Sequence, residues 1–387
     1  MKNRKQIFRG HCTPGSVYAQ RRARFAQYLS EQELGAAVFF DSEERREPTI
    51  RYFTGFPSDA VLVITAGGDA VLIPWDIHLA DMLADAEYIA AYTLYERDPV
   101  KAVYGACSMT KLASDSRIEL PPETPYLQFL ALVDSLSSFH VLCRRCGAHE
   151  YVREHMRAVK DEHEIALLRT AAQITDELIE QIETAVRGGV IQTEIDAALL
   201  IERECRRRGC EGTGFDSLVA GAERSFAIHC FPPYTNNPYP GDGLAILDFG
   251  VMWHGYTSDV TLTFVSVNPS AQARRLISLV EKAYDAALDL YKPGNALCAP
   301  AQAVSTIFAK ENMQMPHSLG HGIGLEVHEK PTVRQSAAED QVFQPGMVVT
   351  LEPGLYLPQT GGCRYENDIL ITETGNEALT HSRIIYI

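Results

Sequence analysis

Long apolar runs are missing from this 387-residue chain. None approaches the roughly 18 consecutive apolar residues of a membrane-spanning helix, which excludes a helical membrane protein. Positive charge is also short, 35 Lys and Arg against 50 Asp and Glu, for a net charge of −15. That balance argues against nucleic acid or an anionic membrane as a partner. No apolar core follows the basic opening MKNRKQIFRGHC, so no secretory leader is expected and a cytoplasmic protein is. Clustered cysteines are lacking as well: the nine present are odd in number and scattered, as suits reduced thiols. One CxxC occurs, Cys143 and Cys146 in CRRC, and without a second it reads as two unlinked thiols. A helical HExxH zinc motif is absent too. His317 and His321 stand four apart in HSLGHGIGLEVHE, but Gly320, Gly322 and Gly324 disfavour a helix there.

What is present is a globular composition, 46% hydrophobic and 22% charged, in a chain long enough for two domains. The first 150 or so residues read as α/β. The amphipathic RRARFAQYLSEQEL is followed by the apolar runs AAVFF, AVLVIT and AVLIP, the last two joined by the turn AGGD as a hairpin. No acid or histidine cluster with ligand spacing occurs there, which suits a structural or dimer-forming domain. Asp161 with Glu164 then forms a capping-box pair that opens a long helix, with Ile165, Leu168, Ala172, Ile179, Ile182 and Val186 on one face and Gly188-Gly189 at its end. Further helices are expected from Thr193 to Gly209, over 271–291 and over 299–313. The RECRRR tail of the second reads as a helix end favoured by the macrodipole, not a nucleic-acid patch. Strands are expected at LAILDFG, TSDVTLTFVSV, VVTLEPGLY and YENDILITE, giving α+β with mostly antiparallel pairing.

The strands carry an internal echo. PGDGLAILDFG and PGMVVTLEPG each run from a Pro-Gly turn through an apolar strand to acid-x-Gly, and each is followed by another acid on the next strand. The two pairs are Asp248 with Asp259 and Glu352 with Glu366. A carboxylate at the edge of a buried strand is costly unless paired or bound to a cation. Four in two matched pairs point to a shared cation site between two similar halves. Four carboxylates and an imidazole suit Mn²⁺, Co²⁺, Fe²⁺ or Zn²⁺, and so much negative charge points to two ions. The glycine-flanked His321 is the expected imidazole. The glycines there would let another chain segment or a ligand approach closely.

The set Asp248, Asp259, His321, Glu352 and Glu366, in the contexts LDFG, TSDVTLTF, LGHGIGLEVHE, TLEPGLY and RYENDILIT, resembles the metallopeptidases of the pita-bread fold. It is most similar to their Xaa-Pro dipeptidase (prolidase) and aminopeptidase P branch. The creatinase branch shares the fold but lacks this metal set. The resemblance implies an α+β protein with a pita-bread (creatinase/aminopeptidase-like) catalytic domain over 155–387. It also implies, through IRYFTGFPSDAVLVIT, a smaller α/β creatinase-like domain over 1–154. Two divalent cations, Mn²⁺ first among Mn²⁺, Co²⁺, Zn²⁺ and Fe²⁺, would be held by Asp248 on one side and His321 with Glu352 on the other, bridged by Asp259 and Glu366. Glu352 would shuttle the proton of the attacking water. His229 in ERSFAIHC, by itself a plain strand histidine, would stand beside the scissile bond, and His328 would contact substrate and the developing oxyanion. Arg364 would orient Glu366 or meet a substrate carboxylate, and Arg334 would bind the substrate C-terminus.

The implied activity is removal of an N-terminal residue that precedes proline, from a small peptide and by a homodimer. Aminopeptidase P action on longer peptides is the nearest alternative. Methionine aminopeptidase needs no front domain of this size. A non-catalytic binding relative would be expected to have lost ligands, and all five are present.

Overall fold

The β-branched and aromatic runs of the first 150 residues become strands whose side chains are buried on both faces. In the computed structural model, which describes residues 7–10, 12–13 and 15–387, the chain forms two compact units, 1–155 and 156–387. Much of the basic opening from which no leader was expected lies outside the described residues. The first unit holds a seven-stranded mixed sheet in the order Ile7–Arg9, Tyr88–Ala90, Ala70–Pro74, Ala60–Thr65, Ala36–Asp41, Arg117–Leu120, His140–Cys143. The expected hairpin is there, with Val61 opposite Ile73 and Val63 opposite Val71. Phe25 from the Val17–Glu31 helix packs on Phe39 and Phe53 on one side of the sheet. Val38, Val63, Ala102, Val103 and Leu132 fill the other. All nine cysteines are free, and Cys143 and Cys146 are exposed.

The second unit is α+β. Helix Glu162–Arg187 starts at the Asp161–Glu164 capping box, with both reciprocal bonds made. Its core face is as expected except that Ile165 is only half-buried. Helix Glu194–Arg207 has its own capping box from Thr193 and Asp196. Its Arg206–Arg208 end is taken up by ion pairs to Glu202, Glu204 and Glu177, as a solvated helix terminus should be. These two helices pack on the antiparallel strands Leu244–Phe249 and Val260–Val265. Helices Ala271–Leu288 and Cys298–Ala309 pack in a second core with the antiparallel strands Val348–Leu351 and Asn367–Ile371. Burying a side chain such as Phe264 or Leu351 is worth about 1.5–3 kcal/mol. The site therefore rests on two stiff halves of like construction. Among the described residues, no helix is long and apolar enough to cross a membrane.

The run VVTLEPGLY is not one strand. It breaks at Glu352-Pro353: Val348–Leu351 lies in a five-stranded sheet and Gly354–Leu357 in a six-stranded one. Proline has no N–H to continue a ladder, so the chain crosses between sheets where Glu352 stands. His229 is also not on a strand, because the 221–235 loop around it is irregular, with four prolines at 232, 233, 238 and 240 in and just after it.

Candidate metal centre

Each acid stands where an apolar strand begins or ends, so the backbone ladder fixes its Cα while its head group leaves the core. Asp248, on Leu244–Phe249, is opposite Thr261, and Thr261 bridges to Glu366 at the junction of the two sheets. Asp259 immediately precedes Val260–Val265, and the Asp368 carboxylate holds its backbone N–H at 3.1 Å. Glu352 follows Val348–Leu351, and Glu366 precedes Asn367–Ile371. Asp248, Asp259 and Glu366 are 9%, 4% and 2% exposed.

His321 is the middle residue of the three-residue strand Gly320–Gly322. The flanking glycines admit neighbouring chain, not ligand. A Cβ on Gly320 would lie 2.0 Å from the Thr350 carbonyl oxygen, and one on Gly322 would lie 2.1 Å from that of Lys330. Only bare backbone lets this strand fit between Val348–Leu351 and Glu329–Val333. The His321 backbone N–H donates to Thr350 Oγ1 at 3.1 Å, and Nε2 lies 3.5 Å from Glu352 and 3.7 Å from Asp259.

The structure brings one ligand atom each from Asp259, His321 and Glu366 within 4.8 Å of one another. Glu352 borders this trio through His321. Asp248 lies outside the trio and is held by Arg364, whose Nη2 donates to Asp248 Oδ2. The remaining donors of Arg364 go to Thr261 Oγ1 at 2.8 Å, Tyr356 Oη at 3.1 Å and the Ile228 carbonyl at 3.4 Å. Of the two roles expected for Arg364, this geometry serves orientation of the acids: Nε lies 3.8 Å from Glu366, and the residue is 2% exposed with its donors used internally. His328 packs against His321 with ring centroids 4.3 Å apart. His229 and His328 both lie near enough to Asp248 for their charge to favour its ionised form. Arg334 is exposed, just past the Glu329–Val333 strand.

Electrostatics fit a cation here. Burial, then neighbouring carboxylates, push Asp259 and Glu352 well above the usual carboxylate range. Burial and Asp248 push Glu366 up to about 7. Asp248 is also raised, chiefly by burial, with Arg364 opposing. Burial, helped by His328, lowers His321 to about 3, so its ring is a neutral lone-pair donor at neutral pH. Four enclosed carboxylates meet a single guanidinium, and Asp248 Oδ1 has no hydrogen-bond partner. Such a set is costly without further positive charge, and oxygen with imidazole nitrogen suits divalent metals.

Sequence reasoning passed over several residues that build the site. Thr261 donates to Glu366 at 2.6 Å, and Thr350 supports both His321 and Glu352. His317 lies 3.6 Å from Glu352 and 2.9 Å from Tyr356 Oη. The Ser318 carbonyl can only accept, so Nδ1–H donates to it at 2.7 Å and the neutral ring's Nε2 accepts from the Tyr356 hydroxyl, whose oxygen also accepts from Arg364. Burial, then the nearby Arg364 charge, lower the His317 pKa to about 4, against the Ser318 bond, which raises it. Only the density of histidines in 317–328 hinted at it.

A buried carboxylate–imidazole cluster at the junction of two acid-bearing strand pairs defines a metal-binding protein of mixed α and β architecture. Its family is metallopeptidase family M24, to which the chain belongs: the family model matches residues 166–373, more than half of the sequence. That span contains all nine site residues expected from the sequence, and the family uses divalent metals. The chain is 39% identical over 233 residues to an uncharacterized peptidase, YqhT, of Bacillus subtilis, covering 59% of this chain and 64% of that protein. It is 34% identical over 228 residues to the Xaa-Pro dipeptidase of Pyrococcus horikoshii, covering 58% and 63%. Both matches thus span a little under two thirds of the relative. The X-Pro aminopeptidase from Thermotoga maritima superposes with a TM-score of 0.82 at 25% identity, over 95% of this chain and 99% of that one. The fold is the pita-bread fold with a smaller α/β unit before it.

Proposed function

We propose that this protein hydrolyses the peptide bond between an N-terminal residue and proline, as a dinuclear Xaa-Pro dipeptidase. The observation that carries the reading is the convergence of Asp259, His321 and Glu366 inside a set of four enclosed carboxylates. Asp259 and Glu366 would be shared by both ions, Asp248 would hold one, and His321 with Glu352 would hold the other. Mn²⁺ is the first choice, and Co²⁺, Zn²⁺ or Fe²⁺ suit the same donors. Bound, such a pair supplies Lewis acidity and makes water a nucleophile near neutral pH.

The chain's own residues do the rest. The Glu352 carboxylate takes the proton of the attacking water and delivers it to the proline nitrogen. That delivery matters because an Xaa-Pro bond is a tertiary amide with no N–H, so the leaving nitrogen starts without a proton. His229 and His328, from different loops, hold the scissile carbonyl and donate to the oxygen as its charge grows. Burial and Arg364 keep His317 neutral, and Arg364 keeps Asp248 in place. A homodimer in the cytoplasm, with residues 1–154 as the creatinase-like domain, belongs to the same proposal.

The second reading is aminopeptidase P action on longer peptides. What separates the two is a free proline carboxylate, and with Arg364 bonded inside the protein, exposed Arg334 is the candidate cation for it. Mn²⁺-loaded and chelator-treated protein compared on Gly-Pro, Gly-Pro-amide and Gly-Pro-Gly decides between them. For the dipeptidase, losing the charge-assisted contact to the carboxylate should lower kcat/KM on the amide by roughly 10–100-fold. Equal rates on all three would move the assignment to aminopeptidase P, and preference for Gly-Gly or Met-Gly would overturn the proline reading.

A further inference from the structure

We propose that Glu194 is a positioning residue: its buried carboxylate gathers both ends of the 221–235 loop and so sets where His229 stands against the acids. The inference rests on the role given above to His229. Glu194 is the first residue of helix Glu194–Arg207, and its side chain is 0% exposed. One carboxylate oxygen accepts the Gly221 backbone N–H at 2.8 Å. The other accepts the Thr235 backbone N–H at 2.7 Å and its hydroxyl at 2.6 Å, and is ion-paired with Arg224. The Arg224 guanidinium goes on to Thr235 Oγ1 at 3.2 Å and to the carbonyl of Pro232.

Gly221 and Thr235 are the two ends of the loop, Arg224 and Pro232 lie inside it, and His229 lies between those two. A single acid therefore draws the loop into a closed ring around its own head group. Ordering a segment of this length costs conformational entropy at every residue, and charge-assisted bonds converging on one buried carboxylate offset it. Further ties fix the interior. The Ser225 hydroxyl donates to the Leu244 carbonyl at 2.6 Å and accepts the Gly362 N–H at 2.9 Å. Cys230 Sγ donates to the Arg224 carbonyl at 2.9 Å. The Ile228 carbonyl, next to His229, accepts from Arg364, which also holds Asp248. His229 itself is exposed, so its placement is set by the backbone on either side of it. Glu194 touches none of the acids; it acts through the loop.

The test is a double-mutant cycle on the metal-loaded protein, with hydrogen exchange as a readout independent of turnover. Glu194→Gln keeps the shape and one acceptor but removes the charge that holds Arg224. The Gly221 and Thr235 amides should exchange faster, metal content should hold, and kcat/KM should fall by roughly 10–100-fold, the scale of a misplaced catalytic group. In a His229→Ala background the same change should lower kcat/KM by no more than about 2-fold, since the two losses share one route. An equal fall in both backgrounds, or unchanged exchange at Gly221 and Thr235, overturns the inference. An unchanged rate in His229→Ala alone would overturn the role of His229 instead, and that single variant makes the difference visible. If Glu194→Gln does not fold, Arg224→Lys takes its place in the cycle. It keeps the charge beside Glu194 but lacks the fork that reaches both Thr235 and Pro232.

Discussion

Asp259 and Glu366 differ from His229 and His328 in what their loss should remove. The two acids, with His321, converge within 4.8 Å, so Asp259→Asn or Glu366→Gln takes a charge from the centre of the cation site. Both variants should fold yet retain little metal and almost no activity; two tightly held ions and normal turnover by metal analysis and assay would refute the assignment. His229→Ala and His328→Ala should keep metal while kcat falls by roughly 10²–10³-fold, the scale of one transition-state donor. Loss of an ion from either would mean a ligand had been misassigned. A third histidine gives a test away from the site. His149 is 2% exposed, packs on Phe39 at 4.6 Å, and is pushed down to about 4, chiefly by burial. Its folded pKa lies below the unfolded value of 6.5, so its neutral form contributes stability above pH 6.5 that is lost as pH falls towards 4. A tenfold difference in proton affinity between folded and unfolded chain is worth about 1.4 kcal/mol, so a few kcal/mol are at stake across that window. In thermal unfolding, His149→Leu should show a shallower fall in Tm between pH 6.5 and 4 than the natural chain; parallel curves would remove His149 as the cause.

At the scale of elements, the site depends on a strand with almost no side chains of its own. Gly320–Gly322 presents His321 because nothing else on it holds its neighbours apart. Gly322→Ala would set a methyl 2.1 Å from the Lys330 carbonyl oxygen, and backbone can yield only by shifting the strand. Overpacking of this kind costs about 1–3 kcal/mol. Tm and metal content should fall together, and a drop in neither would show that His321 does not depend on this fit. Much of this was legible beforehand. The acids at strand boundaries were visible because a carboxylate beside an apolar run needs a stated reason, and the Asp161–Glu164 capping box because its donors and acceptors are local in sequence. His321 stood out between glycines, although those glycines proved to make room for Thr350 and Lys330 and not for a ligand. The break at Glu352-Pro353 was hidden, because an apolar run does not say which sheet each half will join. Partners such as Thr261 with Glu366, 105 residues apart, or Glu194 with Gly221 and Thr235, were out of reach too. Their spacing is set by tertiary structure and leaves no periodicity to read.

For the whole molecule, the acid excess has a local consequence. Asp248, Asp259, Glu352 and Glu366 are enclosed in the 156–387 unit and meet one guanidinium, Arg364. Without cations the folded state bears their burial and mutual repulsion, and burial first, then Asp248, raise the pKa of Glu366 to about 7. The unfolded chain does not bear that burial and repulsion, so a divalent metal that binds only the folded form should stabilise that form by mass action. At 100 times Kd this amounts to about 2.7 kcal/mol. A domain of 150–250 residues gains about 2–4 °C per kcal/mol, so a rise of roughly 5–10 °C is expected. The two tryptophans make the effect local, because Trp75 lies in the first unit and Trp253 in the second. In a Trp75→Phe protein, the Trp253 fluorescence midpoint should rise on adding Mn²⁺ or Co²⁺ to chelator-treated protein, and rise less at pH 5.5 than at pH 8. The sign follows from competition: protons occupy Glu366 below its folded pKa and must leave before a cation is held, and His321, lowered to about 3, adds none in that range. The same comparison in Asp259→Asn should show little shift at either pH. A rise of equal size in that variant would place the stabilising ion elsewhere in the protein, and no rise in the parent would leave the four carboxylates without the partner their burial demands.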